Sequence, residues 1–169
     1  MIKIRSGAPS NSKYCVFMIA RQHPGESNGS HVLKGSIEQL LSGSAISMKV
    51  LSWCDFVIIP MLNPDGVVAG NFRTSLFGRD LNRLWKTKDS TLIPEVEMAR
   101  TVFGELVETY KKKILLFMDY HGHSTRKNAF LLGPGIFDAQ LMNDIRILPR
   151  IMANYTEIFR YPSCSFRLD

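Results

Sequence analysis

Two short apolar runs that each lead into a histidine-bearing segment constrain the fold of this chain more than any other feature. Residues 14–20 lead into His23 and Glu26, and residues 114–118 lead into His121. Each run is continuously apolar and too short for a helix, so it predicts a buried strand. Functional side chains of α/β domains gather just past the carboxyl ends of such strands. We therefore expect two imidazoles and one carboxylate to meet there.

Two histidines and a glutamate match the ligand set of a catalytic zinc ion, which leaves one coordination position for water. The spacing of His23 and Glu26 is weak support by itself, because such a pair often arises by chance. Pro24 and Gly25 break any helix between them, so the pair lies on a turn and differs from the helical zinc motif. The alternative is an ordinary loop histidine, with Glu26 capping the helix that follows.

A third apolar run, residues 56–62, leads into a long polar segment. Residues 63–66 (Asn-Pro-Asp-Gly) are typical of a turn. Residues 71–73 and 79–83 then hold three arginines and two asparagines. The planar fork of arginine suits a carboxylate, and an asparagine amide beside it adds a directed donor. Solvated loop charges are the alternative, and for any one of these arginines alone that alternative would be preferred.

Together these segments resemble the carboxypeptidase A clan of zinc metallocarboxypeptidases. Within that clan the chain most resembles the cytosolic carboxypeptidases, which act as tubulin deglutamylases. The matching segments, in chain order, are ARQHPGESN (20–28), MLNPDGVVAGNFR (61–73), GRDLNR (78–83), DYHGHS (119–124) and SCSF (163–166). Order and spacing both agree from about residue 12 onward. Linked motifs of this kind are far more specific than any one of them.

The resemblance implies a role for each polar residue of these segments. The implied ligands of one zinc ion are His23, Glu26 and His121. Arg73 would polarise the scissile carbonyl and hold the oxyanion, while Asn82 and Arg83 would bind the terminal carboxylate of the substrate. Asp80 would accept the outer N–H of His23 and so fix the orientation of its ring. His123 is given no ligand role, and a supporting or structural role is expected for it.

The resemblance also implies a three-layer α/β/α fold around a mixed, mostly parallel sheet that is incomplete in this chain. The family's general base is a glutamate beyond the SCSF segment, whereas the last glutamate here, Glu157, precedes that segment. The small β domain that usually precedes the catalytic domain has no counterpart. We therefore expect residues 1–169 to be the N-terminal portion of a catalytic domain, without the portion that carries the general base, and to be inactive by themselves.

The function implied is a zinc-dependent metallocarboxypeptidase that removes C-terminal residues, glutamates in particular, from acidic protein tails such as those of tubulin. A clamp made by Asn82 and Arg83 would restrict it to chain ends, because an internal peptide offers no terminal carboxylate. Two alternatives stay open. One is a zinc-binding module without catalytic activity that binds acidic tails, and the other is an amidohydrolase similar to aspartoacylase.

Composition is that of a globular protein, with 45% apolar and 21% charged residues. No apolar run approaches the roughly 18 residues of a membrane helix, and the first residues lack a hydrophobic signal core. Cys15 and Cys54 are best interpreted as buried reduced thiols. We therefore expect a cytoplasmic protein without membrane or nucleic-acid partners. The net charge of +6 either attracts acidic substrates or is balanced by acids outside this chain.

Periodicity and turn signals predict an alternating α/β chain. The predicted strands are residues 14–20, 56–62, 114–119 and 128–132. The predicted helices are residues 30–41, with Ser30 as N-cap, 94–110, and 138–159, with a break near Pro149. The loop from residue 63 to about residue 93 is long enough to indicate a functional segment, and substrate binding is the expected function.

Overall fold

A mixed sheet of four strands organises the first part of the chain. The computed structural model describes residues 1–7, 13–88, 91–111 and 113–167, in two units, Met1–Gly122 and His123–Asp169. The strands of the first unit are β1 (Ile2–Ile4), β2 (Tyr14–Ala20), β3 (Cys54–Ile59) and β4 (Ile114–Tyr120). They lie in the order β1-β3-β2-β4. Strand β2 is parallel to β3 and β4, and β1 is antiparallel to β3.

Helices cover both faces of this sheet, because alternate strand residues point to opposite sides. The helices of the unit are α1 (Ser27–Leu41), α2 (Ala45–Trp53), α3 (Pro64–Val68) and α4 (Pro94–Tyr110). Phe17 and Ile19 of β2 pack with Leu106 of α4 on one face. Val16 packs with Leu33 of α1 on the other. The predicted three-layer α/β/α fold with a mixed, mostly parallel sheet is confirmed.

The predicted elements of this unit agree with the structure where the hydrophobic pattern is unambiguous. Strand β2 and helix α4 have the predicted bounds, and β4 runs one residue longer. Strand β3 begins two residues early and stops at Ile59, because Pro60 has no N–H to continue the ladder. Helix α2 was not predicted, although Ser44 gives it an N-cap by accepting from Ser47 N.

The start of α1 differs from the prediction for a reason that concerns the site. The helix begins at Ser27, three residues before the predicted start, and Glu26 is its N-cap residue without a capping side-chain bond. The Glu26 carboxylate instead faces His23 and His121. Ser30 is not the N-cap, and its hydroxyl accepts from Arg21 Nη1 at 3.2 Å.

The second unit, His123–Asp169, contains a two-stranded parallel sheet and two short helices. Its elements are β5 (Leu132–Pro134), β6 (Ser165–Arg167), α5 (Ala139–Ile145) and α6 (Ile147–Tyr155). The predicted strand at 128–132 is displaced: β5 begins only at its last residue, Leu132, and the earlier residues contribute a single bridge at Ala129. The predicted helix at 138–159 is divided at Arg146 and ends at Tyr155. Pro149 lies in the first turn of α6, where its missing N–H costs little.

Neither unit offers a membrane-spanning helix: within the described ranges, no helix has the length and apolar content to cross a bilayer. Cys15 and Cys54 are buried and free, as predicted. Burial, with the nearby Asp55 charge, raises the pKa of the Cys15 thiol to about 11, so this thiol stays protonated at neutral pH.

A buried ion pair joins the start of β2 to β3. Lys13 Nζ lies 3.2 Å from Asp55 Oδ1, and the two residues are only 2% and 1% exposed. Lys13 Nζ also donates to Ser6 Oγ and Leu51 O, and Tyr110 Oη donates to Asp55 Oδ2 at 2.7 Å. Both charges are therefore compensated away from water. Removing one of them would leave the other buried and unpaired.

Asp55→Ala should lower the free energy of unfolding by about 3–5 kcal/mol, because it leaves the Lys13 ammonium buried without a counter-charge. Urea denaturation followed by circular dichroism measures the change. The control is Glu38→Ala, which breaks the exposed pair with Lys34 and should cost less than about 1 kcal/mol. Equal losses in both variants would contradict the inferred role of the buried pair.

Candidate metal centre

The turn after β2 is held in place by Arg21 and by the backbone of Phe72. Arg21 has a left-handed φ of 56°, and its Nε and Nη2 atoms donate to Pro24 O at 2.9 and 2.6 Å. Gly25 N donates to Phe72 O at 2.7 Å. A Cβ at Gly25 would lie 2.4 Å from the Phe72 ring, so only glycine permits this approach. The turn thereby buries His23, which is 3% exposed.

The two predicted imidazoles face each other across the end of the sheet. His23 Nδ1 lies 3.1 Å from His121 Nδ1 and 2.8 Å from Glu26 Oε1. His121 Nδ1 in turn lies 3.0 Å from the other carboxylate oxygen, Glu26 Oε2. Each outer nitrogen meets an aspartate: His23 Nε2 is 3.0 Å from Asp80 Oδ1, and His121 Nε2 is 2.7 Å from Asp119 Oδ2. Each ring therefore presents one nitrogen to an aspartate and the other to a common point.

This pattern fixes the tautomer of both rings when they are neutral. A carboxylate can only accept, so Asp80 and Asp119 hold the protons on the two Nε2 atoms. Both Nδ1 atoms are then lone-pair acceptors, and they converge with the Glu26 carboxylate. An arrangement of three acceptors with no proton between them favours a cation. Within the described residues, this is the one cluster of three such side chains, with ligand atoms all within 4.8 Å of one another.

The donor set fits zinc. Nitrogen atoms bound tetrahedrally at about 2.0–2.1 Å from zinc lie about 3.3 Å apart, and the two Nδ1 atoms here are 3.1 Å apart. Two imidazoles with one carboxylate are also ligands that zinc prefers over the all-oxygen sets of magnesium and calcium. The assignment of His23, Glu26 and His121 as ligands stays a prediction that a metal titration can test.

The pKa shifts of Glu26 and His121 also favour a cation at the cluster. Burial acts to raise the pKa of Glu26, but the Gly122 N–H bond at 2.6 Å and the two imidazoles outweigh it, so the pKa is lowered. Burial acts to lower the pKa of His121, but Asp119 and Glu26 outweigh it, so the pKa is raised. The excess negative charge that favours a proton on His121 also favours a metal cation.

Gly122 lets the carboxylate of Glu26 come close to the end of β4. A Cβ at this position would lie 2.9 Å from Asn28 Oδ1 and 3.1 Å from Glu26 Cγ. Gly122 thus donates its backbone N–H to the Glu26 carboxylate, and its lack of a side chain leaves room for that carboxylate. The sequence segment DYHGHS contains this glycine, but its effect depends on a contact with α1 that spacing alone cannot reveal.

Asp80 brings Arg73 next to the cluster. Its Oδ1 atom faces His23, and its Oδ2 atom accepts from Arg73 Nε at 2.8 Å. Burial acts to raise the pKa of Asp80, but its bonds to His23 and Arg73 outweigh it, so the pKa is lowered and the carboxylate stays charged. Arg73 keeps 43% of its side chain exposed. Its remaining guanidinium nitrogens are therefore accessible beside the cluster of His23, Glu26 and His121.

Asn82 and Arg83 lie on a 3₁₀ helix, Leu81–Arg83, which Asp80 caps by accepting from Asn82 N. Asn82 Oδ1 accepts from Gln22 Nε2 at 3.3 Å, and the same Gln22 nitrogen lies 3.4 Å from His121 Nε2. Asn82 is therefore close to the cluster. The Arg83 side chain is exposed, and no hydrogen bond or ion pair joins it to the part of the chain that the structure describes.

His123 has the structural role expected for it. Its Nδ1 atom accepts from Arg126 N at 3.1 Å and from Thr125 N at 3.3 Å, which fixes the turn after β4. Sequence reasoning missed Asp119 and Gln22. For Asp119 a signal exists: residues two apart at a strand end share a face, so a carboxylate two positions before His121 can reach its ring. For Gln22 the sequence offers no comparable signal.

Comparison with known proteins agrees with the fold. The family model "Zinc carboxypeptidase" matches residues 1–130. Cytosolic carboxypeptidase 1 of Danio rerio is 39% identical over 171 residues, which cover 94% of this chain and 15% of that protein. The chain thus spans a small part of the curated relatives that it matches.

Two solved structures are similar over nearly the whole chain. A metallo-carboxypeptidase from Burkholderia cenocepacia has a TM-score of 0.81 and 27% identity, covering 98% of this chain and 44% of that one. A metallo-carboxypeptidase from Pseudomonas aeruginosa, in complex with (2-guanidinoethylmercapto)succinic acid, has a TM-score of 0.74 and 29% identity, covering 89% and 40%. Both of these structures are metallo-carboxypeptidases by name. This chain belongs to the zinc carboxypeptidase family.

Gly122→Ala should weaken zinc binding by about 10- to 100-fold, since it displaces the Glu26 carboxylate and disturbs its bond to the Gly122 N–H. Competition against a chromophoric zinc chelator measures the affinity. Gly104→Ala in α4 is the matched control, because a Cβ there meets nothing within 4 Å. Unchanged zinc affinity in Gly122→Ala would show that Glu26 is not a ligand held by this contact.

Proposed function

We propose that the protein carrying this chain is a zinc-dependent metallocarboxypeptidase that removes C-terminal glutamates from acidic protein tails, such as those of tubulin, in the cytoplasm. One observation carries the proposal: the Nδ1 atoms of His23 and His121 converge with the Glu26 carboxylate while an aspartate holds each outer nitrogen. Such an arrangement suits a single zinc ion. Family membership supports the reaction class, and the relatives' name, cytosolic carboxypeptidase, supports the compartment.

His23, Glu26 and His121 would hold the ion, and Asp80 and Asp119 would keep both rings oriented for it. Zinc supplies Lewis-acid activation of the scissile carbonyl and of water. Arg73, fixed through Nε by Asp80, would direct its other nitrogens to the developing oxyanion. A contact of this kind is typically worth about 3–4 kcal/mol of transition-state stabilisation.

Asn82 and Arg83 would bind the free carboxylate of the substrate. Asn82 is fixed by two hydrogen bonds, through its backbone N and its Oδ1 atom, and Arg83 is exposed beside it. A guanidinium with an amide matches the two oxygens of a terminal carboxylate, which no internal peptide bond provides. The succinic acid derivative bound by the Pseudomonas aeruginosa relative is itself a carboxylic acid, which supports a carboxylate site.

Acidic tails are the proposed substrates because the chain carries a net charge of +6. A positive field raises the local concentration of a polyglutamate tail and its rate of encounter, and this effect weakens as salt is added. Glutamate as the residue removed follows the family resemblance.

In the purified protein that carries this chain, Arg83→Ala should raise KM and lower kcat/KM for peptides with a free C-terminus, because the clamp loses its charged partner. The assay compares polyglutamate peptides with free and with amidated C-termini. Arg79→Ala is the matched control, since Arg79 is an exposed arginine of the same segment without an assigned role. Equal effects of the two substitutions, or none from Arg83→Ala, would contradict the clamp.

The carboxylates of the cluster are all engaged: Glu26 faces both imidazoles, and Asp80 and Asp119 each hold an outer nitrogen. We propose that the general base is a glutamate outside residues 1–169. Isolated residues 1–169 should then bind zinc yet release glutamate from a polyglutamate peptide at least a hundredfold more slowly than the full enzyme, on the order of what a general base contributes. Chelator-sensitive turnover near 1 s⁻¹, the low end for typical enzymes, would contradict this assignment.

The engagement of every cluster carboxylate also favours a second candidate, a zinc-binding module that binds acidic tails without cleaving them. Tail binding without turnover by the whole protein would support this second candidate and exclude the first. Hydrolysis of a small N-acyl aspartate, with no action on peptides, would instead indicate an amidohydrolase similar to aspartoacylase.

A further inference from the structure

The side chain of Gln22 joins three parts of the site and is completely buried. Its residue is 0% exposed and directly precedes His23. Trp85 Nε1 donates to Gln22 Oε1, and Gln22 Nε2 lies 2.7 Å from Asp119 Oδ2 and 3.3 Å from Asn82 Oδ1. A buried amide that meets three polar groups from two separate segments, residues 82–85 and β4, has a fixed orientation.

Trp85 determines which way this amide points. An indole nitrogen can only donate, so the Gln22 atom that faces it must be the carbonyl oxygen. The NH₂ group must then face Asp119 and Asn82. Trp85 is itself held by Arg100 of α4, whose Nη2 atom donates to the carbonyls of Leu84 and Trp85. Arg100 of α4 therefore fixes Trp85, and Trp85 in turn fixes which end of the Gln22 amide donates.

The first consequence concerns the metal-binding cluster. Asp119 Oδ2 accepts from both Gln22 Nε2 and His121 Nε2, each at 2.7 Å. The other oxygen, Oδ1, is buried and has no hydrogen-bond partner among the described residues. Gln22 is thus the one group besides His121 that fixes this carboxylate in the described part of the chain. Without it, Asp119 can rotate away, and the proton on His121 is no longer held on Nε2.

The second consequence concerns the substrate side. Because Gln22 donates to Asn82 Oδ1, the NH₂ group of Asn82 must point away from Gln22. That group can donate to a carboxylate, whereas the opposite flip would present a carbonyl oxygen and repel one. A single amide orientation therefore sets both the acceptor character of His121 and the donor character of Asn82.

We propose that Gln22 is a positioning residue that couples metal binding at His121, through Asp119, to carboxylate recognition at Asn82, with Trp85 fixing its orientation. The proposal rests on the proposed function, since it takes His121 as a zinc ligand and Asn82 as part of the carboxylate clamp. The simpler view is that Gln22 is a satisfied buried amide that contributes stability alone. The two views differ in what they predict for a variant of Gln22 that folds normally. Only the positioning role predicts weaker metal binding and a weaker preference for a free C-terminal carboxylate.

The test uses Co²⁺ as a spectroscopic probe of the site in four proteins: wild type, Gln22→Met, Trp85→Phe and the double variant. Methionine keeps the volume of glutamine without its hydrogen bonds. The readouts are the Co²⁺ dissociation constant, the visible d–d absorption spectrum, and the preference for a short glutamate peptide with a free over an amidated C-terminus. Gln39→Met is the control, because Gln39 is exposed and, among the described residues, its side chain hydrogen-bonds Ser44 alone.

Gln22→Met should weaken Co²⁺ binding by about 10- to 100-fold, the usual loss for a group that orients a ligand, and should change the d–d spectrum. It should also reduce the preference for the free C-terminus. Trp85→Phe should act in the same direction but less, and the double variant should match Gln22→Met, because Trp85 acts through Gln22. Gln39→Met should resemble wild type in every readout.

Gln22→Met with wild-type affinity and spectrum would overturn the proposal, as would additive losses in the double variant. If Gln22→Met fails to fold by circular dichroism, Trp85→Phe decides, and unchanged binding in that variant overturns the proposal. Failure of the proposed function has a different signature. In that case wild type itself binds no Co²⁺, or His23→Ala binds it as well as wild type does.

Discussion

The register between β2 and β4 is the constraint on which the site depends. Cys15 pairs with Ile114 but Val16 pairs with Leu116, so β4 carries one extra residue at this point. Beyond this irregularity Ile19 lies opposite Asp119. Paired residues of parallel strands share a face, and a slip of one residue would send every later side chain of β4 to the opposite face. The extra residue thus decides that Asp119 lies on the α4 side of the sheet, where Gln22 meets it.

The charges around the two imidazoles explain why these segments favour a cation. Glu26, Asp80 and Asp119 supply three negative charges, and Arg73 is the one cation bonded to them in the described residues. The imbalance of two charges equals the charge of a zinc ion. Backbone and amide donors, from Gly122 and Gln22, add a further contact to the two carboxylate oxygens that already face His121, Glu26 Oε2 and Asp119 Oδ2. A dication would therefore neutralise the net charge of the cluster without leaving an excess of positive charge.

The parts of this arrangement that sequence reasoning predicted are those that local pattern determines. Strand β2 and helix α4 follow from apolar runs and from Pro94, and the pairing of His23 with His121 follows from two parallel strands ending at one edge. Helix α2 escaped prediction because its apolar residues do not form a single buried stripe: Ile46, Met48 and Trp53 are exposed. The start of α1 was misjudged because the side chain of Glu26 faces the histidines rather than the helix.

The residues that sequence reasoning missed act across distances that no local pattern encodes. Gln22 contacts Trp85 and Asp119, which lie 63 and 97 residues away in the chain. Such an amide is invisible in a single sequence, since glutamine has no strong preference for any element and is usually exposed. Gln22 is buried because three segments of the chain meet at one edge of the sheet, and a single sequence does not show that meeting.

Burial separates the site into a fixed part and an adjustable part. His23 and Gln22 are buried, with hydrogen bonds on both sides, whereas Arg73 and Arg83 are exposed and Arg73 is tethered through Nε alone. Side chains fixed in this way would preserve the coordination geometry of the proposed metal site. Under the proposed function, the exposed guanidinium groups would close on the carboxylate of a substrate after it arrives. The buried side of the site therefore suits a metal ion, and the exposed side would suit the chain end that the proposed function requires.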